Sequence, residues 1–284
     1  MLFNKTLFIL PLFPLLFFSF ACKRKQTETT ITPDALKNHL QRANLFGNVK
    51  SIETEHYYFS KNTSSFVFAD KRVQCYNSDG YLTKVITLDE SNDTISLLII
   101  NYLSNTKEDY RKEITFRKKI ISIDTLLYDK NGFKSEERHF VNDSLHHRIV
   151  YKTDGIGSII EMKRFFSDYQ LTNKIYYNNL GLVERIDEFD PQNKLFKYFI
   201  IEYDESGNEI NRRALKSNNE IIEFTYSQYD KNGFLLKIIY EDRITNLRED
   251  KIYSNHDEKG NWFEEILIQG KDTLRKKVRN IVYY

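Results

Sequence analysis

The sequence is poor in residues that interrupt or cross-link a chain. Of 284 residues, 4 are Pro, 10 are Gly, 2 are Cys and 1 is Trp. Two Cys cannot build a disulfide scaffold. Charge of one sign is also missing: 42 Lys+Arg stand against 40 Asp+Glu, and a net charge of +2 gives no electrostatic case for a nucleic-acid partner. The 40% hydrophobic content excludes a disordered chain. The length allows one large or two ordinary domains with a sizeable core. Aromatic residues are what the sequence has in quantity, with 19 Tyr and 21 Phe.

Long apolar runs are scarce too, except at the start. Leu7 to Phe18 is almost unbroken, preceded by Asn4-Lys5-Thr6 and followed by Ser19-Phe20-Ala21-Cys22. A short basic start, an apolar stretch and a small residue before the cut read as an export signal over residues 1–21. The run is shorter than the roughly 20 residues of a spanning helix and contains Pro11 and Pro14. Ser19-Phe20-Ala21-Cys22 resembles the lipobox of bacterial lipoproteins. The resemblance implies that Cys22 is acylated, becomes the first residue of the mature chain and ties it to a membrane. Residues 22–32, with Lys23-Arg24-Lys25 and then a Thr-rich stretch, cannot bury apolar area and read as a solvated tether. The basic triplet suits anionic headgroups. The expected address is the bacterial cell envelope, at the outer membrane and facing the periplasm. Cys75 is left as a free thiol.

Tyr followed four residues later by Gly recurs at Tyr76/Gly80, Tyr128/Gly132, Tyr151/Gly155, Tyr177/Gly181, Tyr203/Gly207 and Tyr229/Gly233, with His256/Gly260 as a variant. Successive leaders are 52, 23, 26, 26, 26 and 27 residues apart. The first gap is twice 26, and Tyr102 at its midpoint marks an eighth copy that lacks the Gly. Asp-x-x-Gly, as in Tyr128-Asp129-Lys130-Asn131-Gly132 and Tyr229-Asp230-Lys231-Asn232-Gly233, is hairpin-turn chemistry: Asp bonds the backbone ahead of it and Gly supplies a positive φ. Second turn signals such as Asn142-Asp143-Ser144 and Ser217-Asn218-Asn219 divide the repeats. Each unit therefore predicts two antiparallel strands. The predicted fold is all-β: an up-and-down meander of about eight 26-residue repeats, up to about sixteen strands, in a curved or partly closed sheet. It forms a single domain over residues 33–284, with repeats from about 50 to 284.

Two residues before the leaders stand Gln74, Ile100, Leu126, Ile149, Ile175, Ile201, Ser227 and Ser254, a largely apolar column on the face that carries the Tyr. Before the repeats, Thr32-Pro33-Asp34 reads as an N-cap, a first-turn Pro and a first-turn acid. They open a short helix over residues 33–44 with Leu36, Leu40 and Ala43 on one side.

The Tyr-Asp-x-x-Gly spacing resembles the YD repeats of Rhs-type and teneurin-like proteins, over roughly Tyr76 to Tyr284. That implies strands winding into a spiralling sheet or shell. Leu45-Phe46-Gly47-Asn48-Val49-Lys50-Ser51-Ile52, followed later by Asp257-Glu258-Lys259-Gly260-Asn261-Trp262, is similar to uncharacterised Bacteroidetes envelope lipoproteins, a likeness that implies an architecture and no activity.

No phosphate loop, nucleophile elbow or Cys/His pair at local spacing is present, so neither a cofactor nor an enzymatic role is expected. Neighbours in a regular strand face opposite ways, so His146 and His147 are not expected to share a metal. Asp-Ser/Thr-apolar triplets at Thr94, Thr125, Ser144 and Thr273 resemble O-glycosylation acceptors of Bacteroidetes envelope proteins, although Asp-Ser/Thr also belongs at hairpin turns. The functional expectation is a non-enzymatic envelope lipoprotein whose repeat sheet binds a polypeptide or glycan, with Trp262 as an individual contact. The alternative is a structural or assembly factor that pairs with an envelope protein through its sheet edges. A transmembrane barrel is disfavoured, because Ser135-Glu136-Glu137-Arg138 and Asn211-Arg212-Arg213 put charges on both strand faces.

Overall fold

The computed structural model describes residues 39–43, 45–104 and 107–284, all within one compact unit, Ile31–Tyr284. The export signal, Cys22, the tether and the start of the helix lie outside the described residues. What is described of the helix is α1 (His39–Arg42), and strands make up most of the rest. The first six are β1 (Val49–Ser60), β2 (Ser65–Tyr76), β3 (Leu82–Leu88), β4 (Thr94–Ser104), β5 (Lys107–Thr115) and β6 (Ile120–Tyr128). Next come β7 (Lys134–Val141), β8 (Ser144–Thr153), β9 (Ile159–Phe165), β10 (Gln170–Tyr177), β11 (Val183–Phe189) and β12 (Leu195–Tyr203). The last are β13 (Glu209–Lys216), β14 (Ile221–Tyr229), β15 (Leu235–Asp242), β16 (Leu247–His256), β17 (Trp262–Gln269) and β18 (Asp272–Tyr283).

Every consecutive pair is antiparallel, and β1 also pairs with β18, from Val49↔Tyr283 to Tyr58↔Arg275. The meander is therefore a closed barrel, not the partly closed sheet expected from sequence. It has eighteen strands where the repeat arithmetic gave about sixteen. Eight leader turns join nine hairpins, so counting leaders leaves out one hairpin. Closure gives each strand two partners, which removes the free edges that the edge-pairing alternative required.

The turns sort onto two rims. At one rim, which we call the glycine rim, Asn77, Asp129, Asp154, Asn178, Asp204, Asp230 and Asp257 each accept backbone N–H bonds at Oδ1 from residues two and four positions ahead. Three residues after each stands a Gly at positive φ, from 73° at Gly181 to 94° at Gly260. One of these corrects the sequence reading: the turn glycine is Gly157 (φ 93°), not Gly155, and Thr153 takes the leader position opposite Ile159. Tyr151 thus sits two residues early, in the apolar column. The opposite rim more often places Asn at positive φ, at Asn92, Asn142, Asn193, Asn219 and Asn246, beside turns at Ser64, Lys119 and Gly270. Asn tolerates that conformation through local side-chain bonds.

The leaders tie successive hairpins together. Tyr102, Tyr128, Tyr177, Tyr203 and Tyr229 donate their hydroxyls to the carbonyls of Leu82, Glu108, Ile159, Val183 and Glu209, at 2.5–3.1 Å. His256 lies 2.8 Å through Nε2 from the Leu235 carbonyl, which is why a His can stand in for Tyr. Tyr151, displaced from the leader position, donates to the Glu137 carboxylate at 2.9 Å.

The tyrosine face is the enclosed one. Ile52, Tyr76, Val85, Ile100, Leu126, Ile201, Tyr253 and Leu267 on it are buried, whereas the exposed Ile99, Ile121, Leu127, Tyr176 and Ile252 stand on the other face. We therefore assign the tyrosine face to the inside of the barrel. The chain enters at the glycine rim, where Leu40, Leu45, Val49, Ile52 and Tyr76 form the core, and the Leu40 N–H bonds the Gly80 carbonyl at 3.1 Å. Burial of side chains such as Ile52 contributes roughly 1.5–3 kcal/mol each.

Candidate functional site

A cavity of about 240 Å³ opens inside the glycine rim. Strands β14 to β18 supply Tyr229, Ile238, Tyr253, Trp262, Glu265 and Arg279, and the entering segment supplies Ala43 and Phe46. The sequence places Trp262 here simply: it follows the Asp257 turn and pairs with His256, the leader of that unit. Tyr253 arrives by an irregularity. Asn255, at φ 57°, forms a bulge, so Tyr253 pairs with Glu265 and takes the inward position that the column reading gave to Ser254.

Charge and aromatic surface meet in this cavity. The Arg279 guanidinium lies 3.4 Å from the centre of the Trp262 ring, a cation–π contact, and Tyr253 packs on the same indole at 5.1 Å. Burial pulls the Arg279 pKa down to about 10, against the opposing pull of Glu265, Tyr76 and Tyr253, so it stays charged at neutral pH. Its Nε is buried and has no hydrogen-bond acceptor among the described residues. Glu265, 6% exposed, pairs with Lys277 at 2.7 Å. Burial, then Glu265, push the Tyr253 hydroxyl far up, and burial takes Tyr229 to about 12, so both phenols remain neutral donors. The cavity can therefore stack a flat or ring-shaped group and offer it a guanidinium donor, since the Tyr229 proton is already given to the Glu209 carbonyl.

One wall is fastened by Asn261, which is 1% exposed. Its Oδ1 accepts the Phe46 N–H at 2.8 Å, and its Nδ2 donates to the Phe46 carbonyl at 2.8 Å and to the Tyr283 hydroxyl at 2.7 Å. Tyr283 in turn donates to Asp257. The two motifs that carried the family likeness, around Phe46 and around Asn261, are thus in direct contact.

The remaining sequence candidates disperse. Tyr76, Tyr102, Tyr128, Tyr177, Tyr203 and Tyr229 lie around the glycine rim, as do Gly80, Gly132, Gly181, Gly207, Gly233 and Gly260 at its turns. Thr94, Ser144 and Thr273 flank turns of the opposite rim, and Thr125 lies within β6. The expectation that His146 and His147 must face opposite ways fails, because the strand is not regular there. The register shifts between His139 and Phe140, leaving His146 as an extra residue opposite the pair His139↔His147. Among the described residues, one ring nitrogen from each of His139, His146 and His147 lies within 4.8 Å of the others.

No protein-family model and no curated protein matches the sequence. Among solved structures, similarity extends to a porin-like protein from Bacteroides uniformis, with a TM-score of 0.45 and 12% identity, covering 82% of this chain and 96% of that one. A porin-like protein from Bacteroides vulgatus gives 0.35 and 11%, over 81% and 97% of the two chains. The TcdB2-TccC3-TEV structure gives 0.37 and 10%, and the match spans 77% of this chain but 15% of that one. At these identities and scores the likenesses carry no assignment of activity.

Proposed function

We propose that the protein is a non-enzymatic lipoprotein of the bacterial cell envelope, attached through Cys22, whose closed barrel binds a polypeptide or glycan at the glycine rim. The observation that carries this reading is the cavity in which Tyr229, Tyr253 and Trp262 surround an Arg279 guanidinium with an unpaired Nε. Its volume, about 240 Å³, suits one sugar ring or one amino-acid side chain presented by a longer ligand. Aromatic faces stack on such groups, and a buried unpaired donor gains a full hydrogen bond from a ligand acceptor.

The outer face supports a position outside the bilayer core. Glu53–Lys71, Lys237–Asp250 and Glu264–Lys276 ion pairs stand on the face opposite the tyrosines, where a lipid-facing barrel needs an apolar band. Attachment then falls to the N-terminal lipid. A glycan array and a pull-down from envelope extract, each run with the full chain and with Trp262→Ala, test the reading. Wild-type-specific capture supports it; no capture by the wild-type chain in either format overturns it.

A further inference from the structure

The histidines at the rim opposite the cavity form a second constellation, unrelated to the first. Asp124 on β6, His139 on β7 and His147 on β8 are direct cross-strand neighbours on the inner face. The β7–β8 turn, with Asn142 and Asp143 both at positive φ, returns the chain tightly, and the bulge then adds His146 to the row. His146 Nδ1 and His147 Nδ1 are 3.2 Å apart. Two imidazole nitrogens on one tetrahedral zinc ion, at bonds of roughly 2.0–2.1 Å, are separated by roughly 3.3 Å. The His139 ring lies 4.7 Å from that of His147, and its Nδ1 meets the Asp124 carboxylate at 2.6 Å. A carboxylate on one ring nitrogen fixes the tautomer and turns the other nitrogen outward as a ligand, the usual support of a metal-bound histidine.

We propose that His139, His146 and His147 bind one divalent transition-metal ion of the zinc type, with Asp124 positioning the His139 ring. Three neutral imidazoles are the donor set that zinc, copper or nickel takes in preference to calcium or magnesium. The half-buried His147 packs on Phe166, which stacks on Tyr169, so one side of the row is walled by aromatics. His146 is exposed, so the row is open to solvent on that side.

The test uses the full chain carrying a purification tag without histidines, stripped with chelator and titrated with Co²⁺ and Zn²⁺ by calorimetry and visible absorption. The expected result is about one ion per chain and the intense visible bands of low-coordinate Co²⁺, displaced by Zn²⁺. His146→Ala, a change at an exposed bulge that the fold tolerates, removes those bands while circular dichroism stays that of the wild type; His147→Ala does the same. Asp124→Asn weakens binding by about tenfold or more, as loss of an outer-shell partner does. Wild-type protein that binds no Co²⁺ at tens of micromolar, or binding that survives His146→Ala and His147→Ala together, overturns the proposal. Unchanged affinity in Asp124→Asn overturns the role given to Asp124.

Discussion

Replacing Asn261 by Ala probes how the barrel is fastened. The side chain satisfies both backbone groups of Phe46, as a neighbouring strand would, and also holds the Tyr283 hydroxyl. Alanine removes four hydrogen bonds, one of them a long 3.4 Å bond to Asp257, and leaves the Phe46 N–H and C=O without partners. Each buried group so stranded costs roughly 1–3 kcal/mol. Phe46 itself is 41% exposed, so water recovers part of the loss and the lower half of that range applies. The expected destabilisation is about 3 kcal/mol, which in a domain of this size lowers Tm by about 6–12 °C. Trp262, the chain's single Trp, is the next residue and sits against the same wall, so its fluorescence reports the local event while far-ultraviolet circular dichroism reports the sheet. Melting followed by both probes should show an early loss of the tryptophan signal. A Tm within about 2 °C of wild type, a shift worth less than one hydrogen bond, would refute the reasoning.

Two glycines of one turn provide a contrast. Gly157→Ala should destabilise strongly, because φ is 93° and a Cβ would stand 2.7 Å from the Phe133 ring. Gly155→Ala, with nothing within 4 Å of its Cβ, should be neutral or slightly stabilising, and urea midpoints compare the two. Tyr229→Phe removes the bond to the Glu209 carbonyl and should cost about 1 kcal/mol by the same assay. Acidification in the presence of chelator should lower stability in two windows. The His147 pKa is lowered in the fold, so the unfolded chain takes up the proton first and stability falls as pH drops below about 6.5. Burial raises Glu137, but Lys134 and Arg111 more than offset it, so that contribution is present above about 4.5 and is lost as pH falls through the depressed value. His147→Gln should remove the first window and leave the second; melting from pH 7.5 to 3 reads both, and a first window that persists counts against the assignment.

The hairpin turns were legible because their chemistry is local: an Asp or Asn, then a Gly three residues on. The error at Tyr151/Gly155 came from following the tyrosine. In Tyr151-Lys152-Thr153-Asp154-Gly155-Ile156-Gly157, a spacing of four from the tyrosine reaches Gly155, whereas Gly157 lies four from Thr153, and only Asp154, three before Gly157, marks the true turn. The inner face was legible as alternation, apart from bulges such as Asn255 that move a side chain across the sheet. A regular hairpin about Asn142-Asp143 already sets His139 opposite His146, so two of the three clustered histidines could have been read from the turn. The bulge that makes His146 the extra residue and moves the pairing on to His147 has no sequence marker. Closure was not legible either, since pairing of β1 with β18 joins residues more than 200 apart through backbone bonds that any side chain allows.

That last pairing makes the start of the chain an arbitrary point on a ring. The Tyr284 N–H bonds the Asn48 carbonyl at 3.0 Å, so the two ends of the barrel sequence already meet as two halves of one more connection at the glycine rim. Linear repeat arrays need atypical end units to shield their exposed faces, whereas here each unit shields the next all the way round. Joining Asn48 to Tyr284 and opening the chain at another rim turn would keep the ring of strands but give up the Leu40, Leu45 and Phe46 contacts of the entering segment. Duplicating or deleting one hairpin would change the circumference by two strand spacings, roughly 9–10 Å, leaving the hydroxyl-to-carbonyl ties of the other units in place. Such a ring is adjustable in girth, so the width of what it encloses can be altered one unit at a time.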